Sequence, residues 1–195
     1  LNAVNDAKKV AEVLNISHYS VNYDKLFENT VVADFIEEYS NGRTPNPCVL
    51  CNKKIKWGEL LKEADILGAK YIATGHYGII HFNETNKRFC LKRSEDNTKD
   101  QSYALWRLSQ EQLGRTLFPL SNYSKNEVRK IAEEIGLDIA SKPDSQEICF
   151  ITDDNYKRFI LEYKPEILKT VKGDFVYKGK VIGKHDSIPF YTVGQ

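Results

Sequence analysis

Apolar residues recur at helical spacing along three early stretches of the chain, residues 3–14, 25–39 and 55–67. Gly68 follows the third stretch, at the position where a glycine commonly ends a helix. Residues 69–77 then have the pattern of a buried strand, which ends in a Gly-His pair. A helix, a tight turn and a buried strand in succession are typical of a parallel sheet, so we expect an α/β fold.

The middle of the chain predicts a hairpin and two further helices. Residues 78–93 alternate around a polar turn, which predicts a β-hairpin with Cys90 among its strand residues. Asp100 is placed to cap a helix that runs through Leu108. The sequence Ser124-Lys125-Asn126-Glu127 is a capping box, and it predicts the start of another helix.

The character of the chain changes near residue 152, where we place a domain boundary. Before it, residues 148–151 read as a short apolar strand, so Cys149 is expected in the core when judged by its neighbours alone. Beyond it, a short helix over 156–163 and two strands around the turn 178–179 indicate a second, β-rich unit. The expected domains are residues 1–151 and 152–195.

Composition narrows the compartment and the class of partner. The net charge of +1 predicts no general attraction to polyanions, so any contact with nucleic acid must use local basic clusters. Four cysteines without a regular framework favour a reducing, cytoplasmic location. The sequence shows neither a membrane-length apolar run nor a signal peptide, and we expect no membrane partner. The chain lacks Met and begins within a helical pattern, which we interpret as a fragment of a longer protein.

The least ordinary stretch is residues 41–56, which carries Pro45, Pro47 and a C-x-x-C pair formed by Cys48 and Cys51. The prolines remove backbone donors and favour extended neighbours, so we expect a stiff, non-helical loop. Three lysines follow within five residues, and nearby cations increase the thiolate fraction of a cysteine. Zinc binding, a redox pair, an iron–sulfur site and two buried thiols all remain possible for C-x-x-C.

Two other positions carry candidate chemistry. Gly75 and His76 follow the predicted strand, at the end where parallel sheets bind ligands. Gly75 permits a nucleotide to approach the backbone, and His76 can donate to a phosphate or a base; a loop glycine and a solvated histidine are the alternative. Lys99 and Gln101 could contact phosphate and base, and a plain capped helix start at Asp100 is equally compatible with the spacing.

Five short motifs occur in a fixed order: G-R-T-P-N-P-C-x-x-C-N, A-T-G-H-Y, K-D-Q-S-Y, D-S-x-x-I-C-F-I and Y-T-x-G-Q. Together they resemble the tRNA-specific 2-thiouridylases of bacteria and their mitochondrial relatives, over nearly the whole chain. The resemblance implies a Rossmann-like, adenine-nucleotide hydrolase-type domain followed by the start of a central β-rich, tRNA-binding domain. It also implies ATP-dependent 2-thiolation of the wobble uridine of tRNA, by adenylation of O2 and sulfur transfer from a cysteine persulfide.

The resemblance assigns roles to individual residues. Cys51 matches the nucleophile, Cys149 the cysteine that carries the persulfide, and Gly75 a contact to ATP. The positions that match tRNA contacts are Asn46, Pro47 and Cys48 at the target base, together with His76, Lys99, Asp100 and Gln101. The implied cofactor is ATP with Mg²⁺, and the implied partners are the anticodon stem-loop of tRNA and a sulfur relay protein that donates persulfide.

The chain also departs from the family pattern. The family's S-G-G-x-D-S pyrophosphate loop would lie before Leu1 and its C-terminal β-barrel after Gln195, so we expect this chain alone to bind ATP poorly. The position of Cys48 is an Asp in some relatives; with a cysteine there, Cys48, Cys51 and Cys149 are alternative ligands for a 4Fe–4S cluster. A small-molecule ligase and a non-enzymatic metal- or RNA-binding module are the other functions left open.

Overall fold

The computed structural model of the chain describes residues 2–137, 148–169 and 172–192. The chain groups into two compact units. The first unit comprises Leu1–Asp24 and Asn52–Asp144, and the second comprises Lys25–Cys51 and Ser145–Gln195. This grouping differs from the expected boundary at residue 152, because residues 25–51 group with the C-terminal part. The assignment of residues 1–151 and 152–195 as domains stays a prediction.

The helices and strands follow one another in the order of a mixed α/β protein. In the described ranges the α-helices are α1 (Asn2–Val13), α2 (Asp24–Phe27), α3 (Ala33–Ser40), α4 (Pro47–Cys51), α5 (Leu60–Ile66), α6 (Gln110–Gly114), α7 (Lys125–Glu134) and α8 (Tyr156–Tyr163). The strands are β1 (Ile72–Ala73), β2 (Ile79–Asn83), β3 (Arg88–Lys92), β4 (Thr116–Leu117), β5 (Gly173–Tyr177) and β6 (Lys180–His185). The described residues also include two π-helical segments, Glu28–Val32 and Asn52–Glu59, and the 3₁₀ turns Ser102–Ala104, Pro165–Lys169 and Ile188–Phe190.

The first unit is built around a short parallel pair, β1 with β4, in which Ile72 lies opposite Thr116. The Asn52–Glu59 segment packs on this pair through Trp57, which is fully buried and donates from Nε1 to Thr116 Oγ1 at 2.6 Å. The buried residues that surround this contact are Trp57, Leu61, Ala64, Ile72, Leu105, Leu108, Leu113 and Phe118. The hairpin β2–β3 is antiparallel and completes this unit.

The second unit has a separate core. Helix α3 and the Glu28–Val32 segment contribute their apolar face, and α8 and the Pro165–Lys169 turn supply the other side. Its buried residues are Val32, Phe35, Ile36, Tyr39, Ile151, Phe159, Ile160 and Ile167. The antiparallel hairpin β5–β6 lies in the same unit, with a bulge between Phe175 and Val176.

Several sequence predictions are confirmed. Helix α1, the helical stretches within 25–39 and 55–67, the hairpin over 78–93, the helix over 156–163 and the two strands around residues 178–179 are present. The predicted capping box is also formed, because Ser124 Oγ accepts from Glu127 N while the Glu127 carboxylate accepts from Ser124 N. Gly68 has a φ of +69°. This is the left-handed conformation in which the residue after a helix commonly ends it.

One predicted element is shorter than expected and another is not formed. The buried strand over 69–77 is reduced to β1, since only Ile72 and Ala73 pair with β4. The predicted helix from Asp100 through Leu108 is wrong, and a single 3₁₀ turn stands at Ser102–Ala104. The physical reason is that Asp100 does not cap: its Oδ1 accepts from Ser94 N at 2.9 Å, and its Oδ2 accepts from Ser102 Oγ at 2.7 Å.

The expected non-helical loop around the cysteines is also wrong beyond Asn46. Helix α4 begins at Pro47, which is compatible with a first helical position because the missing N–H has no partner there in any helix. The side chain of Asn46 supports this start, as its Oδ1 accepts from Val49 N at 3.3 Å. Both cysteines of the C-x-x-C pair therefore lie on a helix.

The predicted strand over 148–151 is not formed, and Cys149 is not in the core. Residues 149 and 150 form a turn, Cys149 is exposed, and Ile151 is buried. The neighbours Ile148 and Phe150 pack against the core of the second unit, which explains the apolar pattern. Residues 144–147 of the same motif and residues 193–195 of the terminal motif lie outside the described residues.

Candidate active site

Helix α4 presents the two cysteines of the predicted site. Cys48 is exposed and Cys51 is half-buried, and their spacing of three residues puts them on neighbouring positions of one helical face. Pro47, at the start of the helix, is buried. The helix packs against the Glu28–Val32 segment within the second unit.

The turn that carries Cys149 packs against residues 24–40, the stretch that includes the Glu28–Val32 segment. The ring of Phe150 lies 5.5 Å from the ring of Phe27 and 5.4 Å from that of Phe35, both in edge-to-face geometry. Such aromatic pairs add to the stabilisation that burial provides. The segment with Cys51 and the segment with Cys149 are therefore both supported by residues 24–40, and both belong to the second unit.

The described residues do not form a cluster of metal ligands. In the part of the chain that the structure describes, no three or more His, Cys, Asp and Glu side chains converge as ligands of a metal ion. Cys48, Cys51 and Cys149 are all described, and they do not form such a three-ligand group in this structure.

Asn52 directly follows the C-x-x-C pair and is a residue whose role the sequence did not reveal. Its side chain is 2% exposed, and Nδ2 donates to the carbonyl oxygen of Ala104 at 3.0 Å. A buried amide without a partner is costly, so this bond fixes the backbone immediately after Cys51. The only sequence signal was its place in the C-x-x-C-N motif.

His76 lies beyond the carboxyl end of β1, half-buried against the rings of Trp57 and Phe118. Its Nε2 is 3.3 Å from Lys56 Nζ, and its Nδ1 is 2.8 Å from Thr74 Oγ1. Burial and, to a smaller extent, the positive charge of Lys56 together lower the pKa of His76 from 6.5 to about 4.

These contacts define the state of the His76 ring. A lysine ammonium can only donate, so Nε2 must accept from Lys56. The neutral ring then carries its proton on Nδ1 and donates it to the Thr74 hydroxyl. The cation at this position is consequently Lys56, while His76 is an uncharged, oriented ring. Its expected contact to tRNA stays a prediction.

The segment from Lys99 to Gln101 is held next to the residues that follow β1. Gln101 N donates to Tyr77 O at 2.8 Å, and Gln101 Oε1 accepts from Tyr77 N at 3.0 Å. Asp100 binds the loop on the other side through Ser94 and Ser102. The structure therefore brings together the two predicted tRNA-contacting segments. The side chain of Asp100 and the side-chain oxygen of Gln101 already accept hydrogen bonds within the protein.

Gly75 lies at the predicted nucleotide position and is exposed. A Cβ built on it would meet only Leu120 Cδ1 among the described residues, at an ordinary contact distance of 3.6 Å. Packing within the described chain therefore does not by itself require a glycine at this position.

None of the helices in the described ranges is both long and apolar enough to cross a membrane.

Comparison with known proteins shows the family of the chain. The family model described as "tRNA methyl transferase HUP domain" matches residues 1–153. The chain is 55% identical over 197 residues to the tRNA-specific 2-thiouridylase MnmA 1 of Caldanaerobacter subterraneus subsp. tengcongensis. It is 52% identical over 195 residues to MnmA 2 of Thermoanaerobacter sp. and 50% identical over 196 residues to MnmA of Pelotomaculum thermopropionicum.

Each of these alignments covers the whole chain and 53% of the relative, so the chain spans about half the length of the curated relatives it matches. The HUP domain is a parallel-sheet, Rossmann-like fold, which agrees with the parallel pair β1–β4 and confirms the predicted fold class. The resemblance to the 2-thiouridylases that the motifs indicated is confirmed as well. On these grounds the chain belongs to the tRNA methyl transferase HUP domain family.

Proposed function

We propose that the full-length protein replaces O2 of the wobble uridine of tRNA with sulfur, in an ATP-dependent reaction at Cys51 and Cys149. The observation that carries this proposal is the common support of the two cysteine segments: α4 packs against Glu28–Val32, and Phe150 packs against Phe27 and Phe35. The names of the relatives, tRNA-specific 2-thiouridylases, support the substrate and the reaction. The proposal concerns the full-length protein because the chain spans 53% of those relatives.

The nucleotide would lie against the carboxyl end of β1. Ligands of parallel sheets bind at that end, and an exposed glycine there leaves the backbone open to a phosphate or a ribose. Gly75 has both properties, and no described side chain approaches its position closely enough to explain the glycine by packing. ATP, with Mg²⁺, would supply the adenylation that turns uridine O2 into a leaving group.

The cysteines would divide the sulfur chemistry between them. The terminal sulfur of a persulfide on Cys149 attacks C2 of the activated uridine, and AMP leaves with the former O2. The thiolate of Cys51 then attacks the Sγ of Cys149, the sulfur–sulfur bond breaks, and its electron pair stays on the sulfur bound to C2. The products are 2-thiouridine and a Cys51–Cys149 disulfide, which a thiol reductant returns to two thiols. The exposure of Cys149 suits delivery of the persulfide by a relay protein.

The tRNA would make two sets of contacts, one in each unit. We assign the target base to the start of α4 and the remaining contacts to the joined segments after β1 and at 99–101. The assigned residues are Asn46, Pro47 and Cys48, with His76, Lys99, Asp100 and Gln101. An anticodon loop suits the target-base contacts at the start of α4 because its unpaired bases can leave their stack.

A cellular experiment tests the proposal. A strain that lacks the gene is complemented with full-length variants, and 2-thiouridine is measured by mass spectrometry of digested tRNA. We expect thiolation from the wild type and from the control Cys90→Ser, and none from Cys51→Ser or Cys149→Ser. A wild-type level of 2-thiouridine in the tRNA of the deletion strain would instead favour a small-molecule ligase and overturn the proposal.

Cys48 separates the two routes to the same product. The persulfide route does not use its thiol, so Cys48→Ser should retain thiolation. A cluster held by three cysteines requires it, and loss of thiolation together with loss of bound iron in Cys48→Ser would replace the persulfide route by the cluster route.

A further inference from the structure

We propose that a groove beside β3 in the first unit binds an unpaired nucleotide of the tRNA, outside the residues assigned above to the target base. This inference rests on the proposed function and names a further surface for the same substrate. The groove has a volume of about 790 Å³, which falls within the range of small-ligand sites. We call it the Trp106 groove; the lining residues that matter for the argument are Arg88, Arg93, Asp100, Tyr103 and Trp106.

Two aromatic rings at the groove are held out toward solvent. Trp106 is 68% exposed and Tyr103 is 60% exposed, whereas Ala104 and Leu105 between them are buried. Because Leu105 belongs to the core of the first unit, the backbone at both rings is fixed from inside. Exposed aromatic rings on a fixed backbone are the usual platform on which single-stranded bases stack.

The charge at the groove favours a phosphate. Arg88 and Arg93 are exposed and line it, and the guanidinium of Arg107 lies 5.8 Å from the centre of the Trp106 ring. The carboxylate in the lining, Asp100, accepts hydrogen bonds from Ser94 and Ser102 through its two oxygens. Guanidinium groups bind phosphate in a bidentate manner and stack on bases, so rings and cations together match a nucleotide.

The position of the groove is continuous with the predicted tRNA contacts. Asp100 both lines the groove and belongs to the segment 99–101 that is bonded to Tyr77. A strand of RNA that passes the residues after β1 can therefore extend into the groove without leaving the first unit. An acidic peptide would use the cations but would leave the two flat rings without stacking partners, so unpaired RNA fits the groove better.

Binding of tRNA to the full-length protein tests this inference. Fluorescence anisotropy with labelled tRNA is measured at fixed salt for Trp106→Ala, Trp106→Phe and the control Tyr19→Ala, whose ring is exposed outside the groove. We expect Trp106→Ala to raise the Kd about tenfold or more, and Trp106→Phe to restore most of the affinity because it retains a stacking face. Tyr19→Ala should bind as the wild type does, and Arg93→Gln should reduce the salt slope by about one.

The outcomes separate this inference from the proposed function. If Trp106→Ala binds tRNA as tightly as the wild type while the wild type still thiolates tRNA, the groove is not a tRNA surface and the proposed function stands. If the wild type neither binds nor thiolates tRNA, both fail. In a second measurement, tRNA should protect Trp106 from acrylamide quenching, with Trp106→Phe as the blank. Equal protection by poly-glutamate would assign the groove to an acidic partner and overturn the inference.

Discussion

The ring of Phe150 packs edge-on against the ring of Phe35, with centroids 5.4 Å apart and planes inclined by 87°. This contact fixes the residue that follows Cys149 onto α3. Helix α4, which carries Cys51, packs against the Glu28–Val32 segment directly before α3. The two sulfur-bearing segments are distant in sequence, and their common support gives the proposed chemistry a structural basis.

The first prediction concerns this support. Phe150→Ala should lower the free energy of unfolding by about 2–3 kcal/mol, since the half-buried ring also contacts Phe27 and Phe159. Thiolation should fall with it, because the turn at Cys149 loses its anchor, and both quantities are measured on the full-length protein by urea unfolding and by tRNA analysis.

The matched control for Phe150→Ala is Cys149→Ser, which changes an exposed neighbour. It should abolish thiolation at wild-type stability. A Phe150→Ala protein with unchanged stability and unchanged thiolation would show that the ring does not anchor the turn.

The second prediction concerns the buried amide of Asn52. Asn52→Ala leaves the carbonyl of Ala104 without its donor, and we expect a loss of about 1–3 kcal/mol in the free energy of unfolding. Asn52→Asp should be no better, since a carboxylate cannot donate to that carbonyl. Asn126→Ala, at an exposed position of α7, is the control and should stay close to the wild type. Equal stability of Asn52→Ala and Asn126→Ala would remove the anchoring role.

The third prediction is a pH dependence set by His76. Its pKa is lowered from 6.5 to about 4 in the folded protein, so the unfolded chain binds more protons between these values. The free energy of unfolding should therefore decrease as pH falls from 6.5 to 4, by on the order of 2 kcal/mol after allowance for solvent screening, and this term should be constant above pH 6.5.

Urea unfolding of His76→Gln at a series of pH values isolates that term. The difference between the wild type and His76→Gln should favour the variant increasingly as the pH falls below 6.5. Lys56→Met, which removes the neighbouring charge, should raise the pKa of His76 in the folded protein, so the loss of stability should be smaller and should end at a higher pH. Parallel stability curves for the wild type and His76→Gln would contradict the buried, neutral state of the ring.

Local patterns predicted the elements whose signals are local. The capping box at Ser124 and the hairpin around residues 84–87 depend on neighbours a few residues apart, and both form as predicted. The helix at Pro47 was not predicted, because the proline was read as a helix breaker. A proline disrupts the interior of a helix but is compatible with its first turn. The neighbours of Cys149, taken alone, predicted a core position, because apolar neighbours look the same whether they belong to a strand or flank an exposed turn.

The contacts that build the candidate site could not be predicted from local patterns. The bond between Asn52 and Ala104 spans 52 residues in sequence, and that between Tyr77 and Gln101 spans 24. The motifs indicated that these stretches are functional. Their spacing does not show which side chains form hydrogen bonds to the backbone of a distant segment. Asp100 illustrates this, since its sequence suggested a helix cap and its carboxylate instead joins two loop positions.

The most direct test of the proposed chemistry is to follow the sulfur through one turnover. Full-length protein is loaded with a persulfide donor, mixed with tRNA and ATP without reductant, and analysed by peptide mass spectrometry. We expect the added sulfur on Cys149, a Cys51–Cys149 disulfide after turnover, and a covalent tRNA adduct that persists in Cys51→Ser. Sulfur loaded on Cys51 in place of Cys149, or full thiolation by Cys149→Ser, would contradict the account.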